Sequence, residues 1–280
     1  MKLFKITSIL IISILLFSCD DESTQETDGT EQQEYNGNFF PLTVADTWNY
    51  DVENTDNSTN DVTPSQDVLT VESESTTGFT LSVNQGGVAN GTMSGILTSG
   101  ELTRTETTLA ANGTIGLPID GFDFEIQLDN ALLYNTQANN GQQLSEKTGT
   151  FSQDLQGYPI SIDYTLKSKQ LENLSSLTVD GTIYDIVTSA NITLELSVYT
   201  EISVGGFTQV ISILDPQEVL SVDSFYAKNI GLINAEADSG YTLNPNTVSI
   251  LQQLGVDLSM LPTSLSVTNT QVLTSYTITE

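Results

Sequence analysis

Alternation of apolar and polar residues at period two recurs along this chain and limits what it can fold into. Ile160, Ile162, Tyr164 and Leu166 alternate with Ser161, Asp163, Thr165 and Lys167. Ile192, Leu194, Leu196 and Val198 do the same with Thr193, Glu195 and Ser197, as do Phe122, Phe124, Ile126 and Leu128, and Phe79, Leu81 and Val83. Successive side chains of a strand point to opposite faces, so each segment predicts a strand buried on one side and wet on the other, the pattern of antiparallel sheet. Turn dipeptides join neighbouring segments: Asp180-Gly181, Gly205-Gly206, and Ser99-Gly100 between "GILT" and "ELTR". Such pairs supply the positive φ values that tight hairpins need, and sequential hairpins predict a meander. Helix is scarce. Only "NPNTVSILQQLG" (residues 244–255) reads as helical, with Asn246 as N-cap and Gly255 as stop. The expected fold is all-β, an antiparallel meander forming a curved sheet, half-barrel or partly closed barrel, with one short helix near the C-terminus; a two-sheet β-sandwich is the alternative.

The first residues do not belong to that pattern. Lys2 and Lys5 precede an apolar run from Ile6 to Phe17, and Ser18 follows. A basic flank, a short apolar core and a small residue make a secretory signal peptide over residues 1–18, too short to cross a bilayer, which takes about 20 residues. Leu16-Phe17-Ser18-Cys19 resembles the bacterial lipoprotein signal, in which the cysteine carries the lipid. Cys19 is the only cysteine, so an oxidising compartment offers it no internal partner, whereas a thioether to a diacylglycerol uses the thiol. Several acyl chains at ~0.8 kcal/mol per buried methylene hold a protein on its membrane. Asp20-Asp21-Glu22 resembles the acidic export signal of surface lipoproteins in Bacteroidota. Residues 19–37 are polar and acidic, without an aliphatic side chain, and read as a flexible tether. Residues 38–280 then form a single β domain, of a length that can bury a sizeable core. The expected address is the outer membrane, facing the exterior, with the periplasmic face as the alternative.

Charge and composition remove whole classes of chemistry. The chain holds 36 acidic and 7 basic residues, a net charge of −29. A field of that sign repels phosphate backbones, which argues against nucleic-acid partners. There is no histidine, so Ser-His-Asp catalysis, histidine zinc sites and histidine proton shuttles are excluded. With Cys19 lipidated, thiol catalysis goes too. Carboxylate-pair glycoside hydrolysis and oxygen-ligated calcium survive this filter.

"NFFPLTVADTWNYDV" (residues 38–52) opens the β domain. Phe40-Pro41-Leu42 followed by Trp48-Asn49-Tyr50 resembles the domain start of an uncharacterised lipoprotein family common in flavobacteria, with Ala45-Asp46 where that family usually has a Gly-Asn turn. "GTFSQDLQGYPISIDYTLKS", "LTVDGTIYDIV" and "FYAKNIGLINAEAD" also look like segments of this family. The resemblance implies a shared fold and address and carries no activity. Trp48 and Tyr50 lie on one face of a strand as core anchors, or alternatively as an aromatic platform for a ligand such as a sugar. Gly231 permits a bend in "FYAKNIGLI".

Two acidic groups remain as candidate sites. Asp51, Asp56 and Asp61 fall in "DVENTDNSTND", where calcium is one reading and a solvated Asx-rich loop the other. Asp123, Glu125 and Asp129 lie on the polar side of one strand, where a hydrolase would need two carboxylates ~5–10 Å apart; a wet sheet face explains them without chemistry. No cofactor is expected. The functional classes are a non-catalytic binding module for an apolar or glycan ligand, an accessory protein docking to another outer-membrane component, and, last, a carboxylate-dependent hydrolase.

Overall fold

In a computed structural model of the chain, the structure describes residues 35–116, 125–155, 158–204, 206–253 and 262–279. All belong to a compact unit spanning residues 33–280. Cys19 and Asp20-Asp21-Glu22 lie outside the described residues, as do Asp123, Gly205 and Gly255.

The alternating segments are strands. In chain order they are β1 (Thr47–Asp56), β2 (Asp61–Glu74), β3 (Phe79–Val83), a helix α1 (Thr92–Leu97), β4 (Gly100–Arg104), β5 (Thr108–Gly116), β6 (Glu125–Asn135), β7 (Gln143–Leu155), β8 (Tyr158–Val179), β9 (Thr182–Val204), β10 (Phe207–Ala227), β11 (Gly231–Thr242), a second helix α2 (Pro245–Gln253) and β12 (Ser264–Thr277). They form one antiparallel sheet in the order β6-β5-β4-β3-β2-β1-β12-β11-β10-β9-β8-β7. Strands β1 to β6 pair in sequence order, as do β7 to β12, and the two halves of the meander are joined where β1 pairs with β12, from Thr47↔Thr277 to Asp56↔Val267. The sheet is therefore a nearly closed barrel, and the sandwich alternative falls away. Its two edges, β6 and β7, are consecutive in sequence.

Local chemistry accounts for the elements. Asp180 and Gly181, at φ +45° and +78°, make the tight turn between β8 and β9. Strand β10 carries three register shifts against β9, and Pro216 falls between the paired positions Leu214 and Gln217, where its missing N–H breaks no ladder bond. Helix α2 begins two residues earlier than its sequence suggests. Asn244, not Asn246, is the cap: its Oδ1 accepts from the N–H of Asn246 (3.0 Å) and Thr247 (3.4 Å), and Pro245 takes the first helical position, where no N–H is needed. Ser99-Gly100 is not a hairpin turn. "GILT" belongs to α1 and its exit, so the dipeptide joins a helix to β4.

One contiguous core fills the barrel. Trp48 is fully buried, stacked on Phe40 (centroids 4.9 Å apart, 26°), and its indole N–H donates to the Ile230 carbonyl at 2.6 Å. Tyr50 is buried below it and donates to the Leu232 carbonyl at 3.0 Å. Between those two acceptors sits Gly231, at φ +113°, where an added Cβ would lie 2.9 Å from the indole nitrogen. Tyr226 and Tyr134 continue the aromatic layer (centroids 4.9 Å apart), with Phe39 edge-on to Tyr134.

Candidate functional site: a plugged barrel with an apolar pocket

Helix α1 lies within the barrel and plugs it, with Met93, Ser94, Ile96 and Leu97 buried. A helix leaves its first N–H groups without partners, and α1 has no side-chain cap of its own at Gly91. Distant strands supply what is missing. Asp67 on β2 accepts from the Gly91 N–H at 2.8 Å; Asn269 on β12 accepts from Thr92 at 2.9 Å; Gln271 on β12 accepts from Ser94 at 3.2 Å and donates back to the Ser94 hydroxyl at 2.8 Å. The fit at Gly91 excludes a side chain, because a Cβ there would fall 2.2 Å from the Gln271 amide oxygen.

Asp67 is the centre of this network. It is fully buried, and no cation pairs with it among the described residues. Its carboxylate also accepts from the Asn90 N–H (3.0 Å), the Asn90 side chain (3.0 Å) and the Asn84 side chain (2.9 Å). Burial pushes its pKa up, but the N–H groups of Asn90 and Gly91 with the Asn84 and Ser94 side chains outweigh that and hold it below the ordinary carboxylate value. A charge kept buried by oriented dipoles fixes the helix in place.

Beside α1 the barrel keeps a pocket of about 250 Å³. Ile96 from the helix, Ile115 from β5, Leu194 from β9 and Leu220 from β10 give it apolar walls, while Thr92, Ser99, Thr114 and Ser239 contribute hydroxyls. Ser239 stands directly opposite Leu220 in the β10–β11 ladder and shares its face. A smaller apolar crevice, of about 10 Å³, shares Ile96 and Ile115 with the pocket and runs to the gap between β6 and β8.

The residues singled out in the sequence fall elsewhere. Trp48 and Tyr50 are inside the core with their polar atoms committed to backbone carbonyls, so neither presents a ring face to a soluble ligand. Asp56 and Asp61 stand opposite each other at the end of the β1–β2 ladder, and Asp51 is apart from them. Asp51 accepts from Gln66 at 2.9 Å, and Asp56 lies five residues further along β1, where it holds the Asn57–Asn60 turn. The Ser58 hydroxyl and N–H keep the Asp56 carboxyl below its usual range. Among the described residues, no group of three or more Asp, Glu, Cys or His is placed to hold a metal ion. Glu125 is exposed on β6, and Asp129 pairs with Lys147 on β7. The chain matches no protein-family model, no curated protein and no solved structure. The pocket and the Asp67 network had no sequence signal of their own, since their members are spread from β2 to β12.

The network predicts a pH-dependent stability. Because the folded pKa of Asp67 is depressed, its contribution is present above the unfolded value near 4 and is lost as pH falls through the lower folded value. Asp67→Asn turns an amide NH₂ against donors and should cost roughly 3 kcal/mol at pH 7. In urea melts across a pH series, wild type and variant should differ at pH 7, and the gap should narrow as pH is taken below 4. Equal stability at pH 7 would show that the charge does not hold the helix.

Proposed function

We propose that this protein is a lipid-anchored envelope lipoprotein, attached to the outer membrane through Cys19 and carried to the exterior by Asp20-Asp21-Glu22, whose β domain is a non-catalytic binding module for a small apolar ligand. The pocket beside α1 carries the reading. Its walls are aliphatic and its hydroxyls few, the composition of a site that takes an apolar body and orients it with a handful of polar groups. At about 250 Å³ it is slightly smaller than the ~300–1,000 Å³ typical of drug-sized ligands, which suits a short chain or the end of a longer one. A glycan is supported less well, because the aromatic pair that would stack against it is enclosed in the core. The lack of any histidine supports binding over hydrolysis.

Docking to another envelope protein is the second reading. It draws on Phe207 and Val210, 81% and 59% exposed at the start of β10, where both faces of the strand stand in solvent.

Two experiments test the proposal. Replacing Cys19 with Ala should move the protein from the detergent phase to the aqueous phase on cell fractionation; retention in the membrane would refute the anchor. For the pocket, Ser239→Phe fills the space opposite Leu220. Titration with the apolar fluorophore N-phenyl-1-naphthylamine should give enhancement with wild type and at least a tenfold weaker response with the variant, by loss of a pocket contact worth ~1–3 kcal/mol. Equal binding by two proteins of the same melting temperature would place the ligand elsewhere.

A further inference from the structure

A glycine stands in the middle of α1 where the backbone does not call for one. Gly95 is helical, its N–H bonded to the Gly91 carbonyl at 3.0 Å, and it is not among the glycines with positive φ. A Cβ built on it would meet only the Ala89 Cβ, at 3.8 Å, an ordinary van der Waals contact. Gly91, four residues earlier, is the opposite case, with no room for a side chain. Alanine would fit at position 95 and would favour the helix, because glycine gives up more backbone freedom on folding. What the missing side chain does is leave room. Thr92, Gly95 and Ile96, spaced i, i+3 and i+4, turn one face of the helix to the pocket. The space over Gly95 is therefore kept open against the helix's own preference.

The lining decides the polarity of what can fill that space. Among the described residues around the pocket none is ionisable. The Ser99 hydroxyl is already used, donating to the Ile96 carbonyl at 2.8 Å. The hydroxyls of Thr92, Thr114 and Ser239 make no hydrogen bond among the described residues, and all three residues are half-buried. A hydroxyl both donates and accepts, so the three suit a neutral polar head. A carboxylate would enter without a cation to pair with, in a protein of net charge −29. An ammonium group would find no carboxylate among the described lining residues.

We propose that the pocket selects a single-chain alkyl compound with an uncharged, hydrogen-bonding head, held by the hydroxyls of Thr92, Thr114 and Ser239, and that Gly95 sets the bulk it admits. This rests on the pocket reading above and names the ligand class. The alkyl body lies against Ile96, Ile115, Leu194 and Leu220. Charged compounds of the same chain length are excluded because the head would lose its water without gaining a partner.

The test titrates octanol, octanoate and octylammonium calorimetrically into the full chain at neutral pH. Wild type should bind octanol at least about tenfold more tightly than either ion. Gly95→Ala should raise the melting temperature by roughly 2–4 °C and weaken octanol severalfold, a gain in stability with a loss of binding. Thr92→Val/Thr114→Val/Ser239→Ala should weaken octanol about tenfold and leave N-phenyl-1-naphthylamine within about twofold of wild type. Either ion binding as tightly as octanol overturns the neutral class, and full octanol affinity in the triple variant overturns the assignment of the head. A lowered melting temperature or unchanged octanol affinity in Gly95→Ala overturns the role of Gly95. In each of these cases, N-phenyl-1-naphthylamine bound by wild type and lost in Ser239→Phe leaves the pocket standing. Failure of both octanol and the fluorophore to bind wild type overturns the pocket as well.

Discussion

The pairing of β1 with β12 is the constraint on which the rest of the molecule depends. Ten residues near the start of the domain are clamped between β2 and a strand more than two hundred residues away in sequence. Loop-closure entropy grows only slowly with length, so joining such distant segments costs little more than joining nearer ones, provided the contact is strong. It is strong here because β1 delivers Trp48, Tyr50 and Val52 to the core, each almost completely buried. Once that junction forms, β6 and β7 stand at the two ends of the strand order among the described residues.

A barrel of this size needs something inside it. Aromatic rings fill one level, and α1 fills another, but a helix brings polar ends into a place without water. The protein resolves this by having Asp67, Asn269 and Gln271 act as surrogate caps. The alternative, unpaired N–H groups in the interior, would cost on the order of 1–3 kcal/mol each. The same arrangement leaves the space beside the helix unfilled, and that space is the pocket. Plug, network and pocket are thus consequences of one packing problem.

The sheet was legible because amphipathic alternation is a local signal: Ile160, Ile162, Tyr164 and Leu166 are all buried and their partners in alternation are not. The Asp180-Gly181 turn was equally legible, since only particular residues accept its φ values. Helix α1 was not, because nothing within "GTMSGIL" caps it; its stabilising groups sit in β2 and β12. Asn246 was the wrong cap for α2 because Pro245 needs the residue before it to remain outside the helix. Ala45 stands at φ +77°, where glycine would be at ease, and Asp46 braces the turn by accepting from the Thr43 and Thr279 N–H groups. The candidate site fared worse than the fold. Trp48 and Tyr50 belong to the core, and Asp67 and Ser239 become neighbours of one interior only through the closed topology.

Residue-resolved amide hydrogen exchange tests the central claim, that the two halves of the meander are joined through β1 and β12. Amides of β1, held between β2 and β12, should exchange at the rate of global unfolding. Amides of β12, held between β1 and β11, should be equally slow. Rapid exchange along β1 or β12, while β8 to β10 stay protected, would contradict this junction.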